Sequence, residues 1–250
     1  MNLFVKTILQ LSDNYAYLVE YGKDALVVDV SVAGPVLEYA ENNELTIKYV
    51  LSTHHHSDHT SGNREIKEKT GALILGGDSR ISSIDTVLHD TDKIDLGEIS
   101  FQVIAVPGHT RTHVSYYEPI NGLLFTGDTL FCCGCGRIFE GSAEQMYHSL
   151  MKLSQLPEKT SVYCGHEYTE NNIEFALTFE PDNVVLQNRA IQIGNIIRSG
   201  NPSVPSSIGL EKESNPFLRM HSKSIRERLG MLERSPIAVF AELRSRKNRF

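Results

Sequence analysis

Thr53-His54-His55-His56-Ser57-Asp58-His59 places four histidines and an aspartate within six positions. Neutral imidazole and carboxylate are good ligands for a borderline metal such as zinc. The preceding residues, Lys48-Tyr49-Val50-Leu51-Ser52, read as a strand. In an extended chain, side chains two apart point the same way. On that geometry His54 and His56 face one point, Asp58 lies further along the same side, and His59 falls where a helix over 62–69 should begin. A His-rich tag or surface loop fits poorly, because the run is internal, follows an apolar strand and carries an Asp at a fixed offset. A closed structural zinc site also fits poorly, since such sites are mostly Cys-rich with four ligands.

Three other segments end on a ligand-type residue after a glycine: Gly108-His109, Gly127-Asp128 and Gly165-His166. Each follows a strand-like stretch, over 99–105, 123–126 and 161–163, and glycine lets the backbone turn tightly there. The candidates are therefore His54, His56, Asp58, His59, His109, Asp128 and His166. A catalytic zinc takes three protein ligands plus water, so seven candidates point to two metals. Asp128 has two oxygens and is the natural bridge. Paired metals can activate a water at neutral pH and act on both sides of a displacement, which favours hydrolysis of an ester-like, amide or phosphate bond.

Before residue 170 strand signals dominate, with alternation over 2–9 and 99–105, a hairpin about Gly22-Lys23-Asp24, and Asn121-Gly122 as a second hairpin turn. Helices are expected over 36–42 and after Ser142-Ala143-Glu144-Gln145, a capping box in front of Met146, Leu150 and Leu153. Residues 76–97 give short, mixed signals. After 170 helical patterns take over (171–179, 183–197, 236–243), joined by a Pro/Ser stretch at 201–207. The expected organisation is a strand-rich domain over 1–170 and a small helical domain over 171–250.

The wider pattern resembles the metallo-β-lactamase superfamily. Five further segments resemble its glyoxalase II (hydroxyacylglutathione hydrolase) family: Phe125-Thr126-Gly127-Asp128-Thr129-Leu130-Phe131, Gly134-Cys135-Gly136-Arg137-Ile138-Phe139-Glu140-Gly141, Tyr163-Cys164-Gly165-His166-Glu167-Tyr168-Thr169, Asn215-Pro216-Phe217-Leu218-Arg219 and Leu243-Arg244-Ser245-Arg246-Lys247. The resemblance implies an α/β fold, an αββα sandwich with a small C-terminal helical domain. It implies that His54, His56 and His109 hold one metal, Asp58, His59 and His166 the other, with Asp128 bridging. The metals would be two divalent ions, zinc first, with iron or manganese also suited to His/Asp ligands. A metal-bridging hydroxide, which Asp58 would help to orient, would attack the thioester of S-D-lactoylglutathione. The products would be D-lactate and glutathione, the second step of methylglyoxal detoxification. Arg137, Phe139, Tyr168, Arg244 and Lys247 match the family's glutathione-binding positions, with Arg244 and Lys247 as an anion clamp. Phe139 stands where some members have Tyr, and Arg137 where others have Lys. Asp29 is either an acceptor for a metal-bound His or simply a strand-end acid. His55 is not expected to be a ligand.

Composition is that of an ordinary soluble globular protein of 250 residues, 40% hydrophobic and 22% charged. The start lacks the apolar core of a signal peptide, and no apolar run approaches a membrane span. Three of the four cysteines (Cys132, Cys133, Cys135) crowd together, as in a reduced, cytoplasmic protein without structural disulfides. A net charge of −7 argues against nucleic-acid binding. Residues 217–250 nevertheless carry nine Lys or Arg against three Glu. Arg226, Arg228 and Arg234 are expected there as solvated charges. The expected partner is a small glutathione thioester and the expected state a monomer. The main alternative is a single-iron persulfide dioxygenase, against which the second ligand set and helical tail weigh.

Overall fold

The computed structural model describes residues 3–250; Met1 and Asn2, where the expected first domain and strand begin, lie outside the described residues. The chain forms two compact units, one running to Ala105 and including Thr112–Gly127, the other comprising Val106–Arg111 and Asp128–Phe250. This partition differs from the boundary near residue 170, which marks where strands give way to helices.

The first unit contains β1 (Leu3–Gln10), β2 (Asn14–Tyr21), β3 (Asp24–Val28), α1 (Ala33–Asn42), β4 (Thr46–Ser52), a single turn α2 (Ser57–Thr60), α3 (Asn63–Thr70), β5 (Leu73–Gly76), β6 (Thr86–Val87), β7 (Lys93–Leu96), β8 (Ile99–Ala105), β9 (Val114–Glu118) and β10 (Leu123–Gly127). Strands β1 to β6 form one sheet in sequence order, antiparallel up to β3 and parallel from there on. Strands β7 to β10 lie side by side, antiparallel, in a second. The period-two rule sorts the strand side chains. Ala16 and Leu18 of β2 and Ala25 and Val27 of β3 join Val36, Ala40 and Ile66 of α1 and α3 in one core. Tyr17 points the other way, its ring 5.5 Å from Phe125 of β10, which lies 6.3 Å from Phe101 of β8. The unit is thus layered helix, sheet, sheet. The mixed signals of 76–97 resolve into the short strands β6 and β7, whose two and four residues are too few to show a period.

The second unit contains β11 (Leu130–Phe131), β12 (Gly134–Cys135), α4 (Ala143–Ser154), β13 (Ser161–Cys164), α5 (Thr169–Phe179), α6 (Val184–Arg198), β14 (Ser206–Ser207), α7 (Ile208–Ser214), α8 (Lys223–Leu229) and α9 (Pro236–Lys247). The capping box forms as expected, with Gln145 N donating to Ser142 Oγ and Ser142 N to Gln145 Oε1. Met146, Leu150 and Leu153 are fully buried, each contributing about 1.5–3 kcal/mol. Helices α5 and α6 close on Cys133 through Ile173, Ala176, Leu186 and Ile193. The expected helix 236–243 extends one turn further, to Lys247, which places Arg244 and Lys247 on one helix. Helices α7 and α8 are additions to the sequence reading; seven residues each is too short for a helical period to stand out.

Candidate metal centre

In the first unit β4 ends at Ser52 and delivers the histidine run. The extended geometry expected through Asp58 stops at His56. That residue is the N-cap of α2, so Asp58 and His59 already sit on a helical turn. The chain turns here because α2 takes over the backbone hydrogen bonding: His59 N donates to His56 O and Ser61 N to Ser57 O. The placement of Asp58 therefore comes from a helix, not from strand alternation.

Asp29 organises the histidines. It follows β3 with φ +53°, buried, and its carboxyl accepts from Thr53 N at 2.8 Å, Thr53 Oγ1 at 2.7 Å and His59 Nδ1 at 3.1 Å. Thr53 Oγ1 spends its proton on Asp29, so towards His54 Nδ1, 3.0 Å away, it acts as acceptor. Both rings are fixed as Nδ1–H tautomers, leaving Nε2 as the lone-pair nitrogen. His54 Nε2 meets His56 Nδ1 at 3.0 Å, and His59 Nε2 lies 3.4 Å from Asp58 Oδ2. Asn14 Nδ2 donates to Asp58 Oδ2 at 3.0 Å. Converging imidazole nitrogens and a carboxylate oxygen are a donor set suited to a borderline divalent cation. Gly127 allows the packing around Thr53: its φ is +46°, and a Cβ there would collide with the Thr53 hydroxyl and the His113 ring.

The second unit carries the other three candidates. His109 Nε2 and His166 Nε2 each lie 3.4 Å from Asp128 Oδ2. His109 Nδ1 donates to Arg137 O at 2.7 Å, which again leaves Nε2 for a ligand. The ring of Tyr168 stacks on His166 at 4.8 Å and 2°, and Phe131 packs edge-on against both. His109 and Asp128 open on a cavity of about 530 Å³ that Arg137, Phe139, Tyr168, Arg244 and Lys247 also line. All five expected substrate residues therefore share one cavity with two ligand-type side chains.

The cationic residues of that cavity are held differently from one another. Arg244 is buried, its Nη1 donating to Cys135 O at 2.6 Å and its Nε to Asn248 Oδ1 at 3.2 Å, with the guanidinium over the Phe217 ring. Lys247 donates to Asn171 O at 3.0 Å and lies over the rings of Phe175 and Phe250. Burial, together with the neighbouring Arg244, lowers its pKa to about 8. Arg226 corrects the expectation of a solvated charge: its guanidinium donates to the carbonyls of Met220, Leu232 and Arg234, closing the turn after α8. Cys132, Cys133, Cys135 and Cys164 are buried, and none is in a disulfide.

Residues beyond the expected set also shape the centre. Asp29 does more than end a strand, since it accepts from both Thr53 and His59. His113 stacks on His54 at 4.8 Å with no signal in its local sequence. Among the described residues no helix is long and apolar enough to cross a membrane.

The chain matches the family model of the metallo-beta-lactamase superfamily over residues 10–83 and 76–166, and that of the hydroxyacylglutathione hydrolase C-terminus over 167–250. It is 47% identical over 253 residues to a hydroxyacylglutathione hydrolase of Rhodospirillum rubrum, covering 99% of each chain. It is 47% identical over 245 residues to one of Methylococcus capsulatus, covering 96% of each. Among solved structures, ETHE1 from Myxococcus xanthus is similar, at 27% identity and TM-score 0.71 over 98% of this chain and 91% of that one. A metallo-beta-lactamase from Staphylococcus aureus shares the fold at TM-score 0.68 and 22% identity, over 98% of this chain and 71% of that one.

Proposed function

The chain belongs to the hydroxyacylglutathione hydrolases, metal-dependent hydrolases of the metallo-β-lactamase fold, and from that membership we propose that it cleaves S-D-lactoylglutathione, and other S-2-hydroxyacylglutathiones, to the hydroxy acid and glutathione. This would be the second step of methylglyoxal detoxification. The observation that carries the reading is the second unit's cavity, where His109 and Asp128 face the same space as Arg137, Arg244 and Lys247. Ligand-type side chains beside a cluster of cations suit an anionic substrate with a bond to hydrolyse.

In this reading His54, His56 and His109 would hold one divalent cation and Asp58, His59 and His166 the other, with Asp128 available to both. Fixed tautomers that aim Nε2 of His54, His59 and His109 outward support it. So does the donor chemistry, which suits zinc and also accepts iron or manganese. When bound, the cations supply a water acidified to a pKa of about 7 and an electrophile for the carbonyl oxygen. Asp58, held by Asn14, would help to orient that water. Arg137, Arg244 and Lys247 hold the two carboxylates of the glutathione moiety, and Phe139 and Tyr168 flank its peptide. The C–S bond breaks as the new C–O bond forms. The leaving thiol, with a pKa of about 8.5, departs as a thiolate and takes its proton from solvent. We place the enzyme in the cytoplasm as a monomer.

The test is to measure thiol release from S-D-lactoylglutathione by the purified protein, with metal analysis on the same sample. One thiol per ester consumed, at two metals per chain, is the expected result. Two bound metals without hydrolysis would refute the reading, and oxygen uptake with glutathione persulfide would transfer it to a dioxygenase.

A further inference from the structure

His55 stands between two ligand candidates and is not one itself. Its ring packs edge-on against the His56 ring, 4.9 Å between centroids, and its Nδ1 lies 3.3 Å from Asp78 Oδ2. Asp78 is buried at 4% exposure and is one of the most heavily bonded carboxyls of the first unit. Arg80 Nε donates to both of its oxygens at 3.0 Å, Arg80 Nη2 to Oδ2 at 2.6 Å, and Arg80 N to Oδ1 at 2.8 Å. Thr112 Oγ1 makes a short hydrogen bond to Oδ2. Burial opposes the charge on Asp78, but the Arg80 and Thr112 bonds outweigh it and hold the carboxyl below the usual carboxylate range.

These contacts join three stretches of chain: the histidine run, the turn after β5 and the entry to β9. The backbones are close as well. Val114 N donates to Thr53 O at 2.9 Å, and a Cβ on Gly77 would run into Thr112 O. His54 and His56 converge ring to ring, and the middle histidine sits between the His56 ring and the Asp78 carboxyl. A segment that presents two ligands with their nitrogens 3.0 Å apart must hold both rings still, and the His55 ring, packed between the His56 ring and the Asp78 carboxyl, supplies part of that resistance.

We infer that Asp78, acting through His55, is a positioning residue that fixes His54 and His56 in the geometry that binds the metal. The inference rests on the metal assignment proposed above. It assigns a role to a histidine that is not itself a ligand, and to an acid some twenty residues away in sequence that touches no ligand side chain.

The experiment is a zinc titration of the chelator-stripped protein against a fluorescent zinc chelator, with thermal unfolding on the same samples. His55→Ala is the primary variant, because it leaves Asp78 with its Arg80 and Thr112 bonds. It should lose about tenfold in zinc affinity at one of the two sites, within the range for partners of metal ligands, with an unchanged unfolding midpoint. Asp78→Asn should lose affinity similarly and also unfold earlier. The double variant should bind zinc no more weakly than the weaker single, since both act on one contact. Wild-type zinc affinity in His55→Ala, or additive losses in the double variant, would overturn the inference while leaving the metal assignment standing. A wild-type chain that takes up no zinc would overturn both.

Discussion

A chain of single hydrogen bonds sets the metal-type geometry of the first unit: Asp29 to Thr53, Thr53 to His54, Asp29 to His59. In the second unit the equivalent control lies in the backbone. Gly136 N donates to Thr129 O at 3.2 Å, and a Cβ on Gly136 would sit inside contact distance of Asp128 O and close to the His109 ring. Neither neighbour is the free end of a flexible side chain. Gly136→Ala should therefore displace Asp128 and lower kcat by about 10²-fold, the cost of an ångström-scale misplacement, with the unfolding midpoint shifting far less. Steady-state kinetics beside a melting curve would check it. Arg244→Ala should behave otherwise. It removes a cavity cation and also leaves the Cys135 carbonyl without its buried donor, so KM should rise and stability fall by about 1–3 kcal/mol in a urea titration. At this scale the sequence was readable wherever chemistry is local: a run of ligand residues, or a glycine before a ligand. Asp29 was readable only as one of two alternatives and Asp78 not at all, because an isolated acid gives no local sign of a partner lying 24 to 34 residues away.

Between elements, a buried polar network ties the helical part of the second unit to the loop that follows Asp128. Arg189 of α6 and Glu211 of α7 meet at 2.5 Å with almost no exposure. Glu211 accepts from Cys133 N at 2.8 Å. Asn215 Nδ2 donates to Phe131 O and Gly134 O, and Asn172 of α5 donates to Cys132 O. The β11–β12 hairpin between Asp128 and Arg137 is thus held by side chains from α5, α7 and the residue after α7. Glu211→Ala strands the Arg189 charge in the interior and should cost about 3–5 kcal/mol in a denaturant titration. Arg189→Met paired with Glu211→Leu should cost clearly less, since no buried charge then remains alone. Helix positions in this region were legible from amphipathic spacing and caps; α4 appears with its capping box as read. Helices α7 and α8 and the Arg189 network were not, since their order comes from long-range burial that no short window contains. Arg189, within the helical pattern of 183–197, is 3% exposed.

For the molecule as a whole, the charge balance poses a problem for an anionic substrate. The chain carries −7, and the nine basic residues of 217–250 stand against three acidic ones. Much of that local excess is already committed. Arg219 donates to Glu180 at 2.7 and 2.9 Å, Arg246 to Glu242 at 2.8 Å, and Arg226 to three carbonyls. From this stretch Arg244 and Lys247 face the cavity, with Arg137 from outside it. Of these, Lys247 is the one whose charge can change near neutral pH. Burial first, and Arg244 beside it second, lower its pKa to about 8. A lysine is charged below its pKa, so this cation is present at pH 7 and lost as pH rises through about 8. KM for a dicarboxylate thioester should therefore be flat below that pH and climb above it, while kcat holds, because the interaction serves binding equally in ground and transition states. The same attraction should weaken with salt, since the pull of the cavity's cations on an approaching anion is screened over about 8–10 Å at moderate ionic strength. Lys247→Arg separates this cause from any other titration. A guanidinium stays charged through the whole range, so the variant should keep a flat KM up to pH 9. A KM that climbs identically in wild type and Lys247→Arg would assign the pH dependence to another group and remove Lys247 from the substrate clamp.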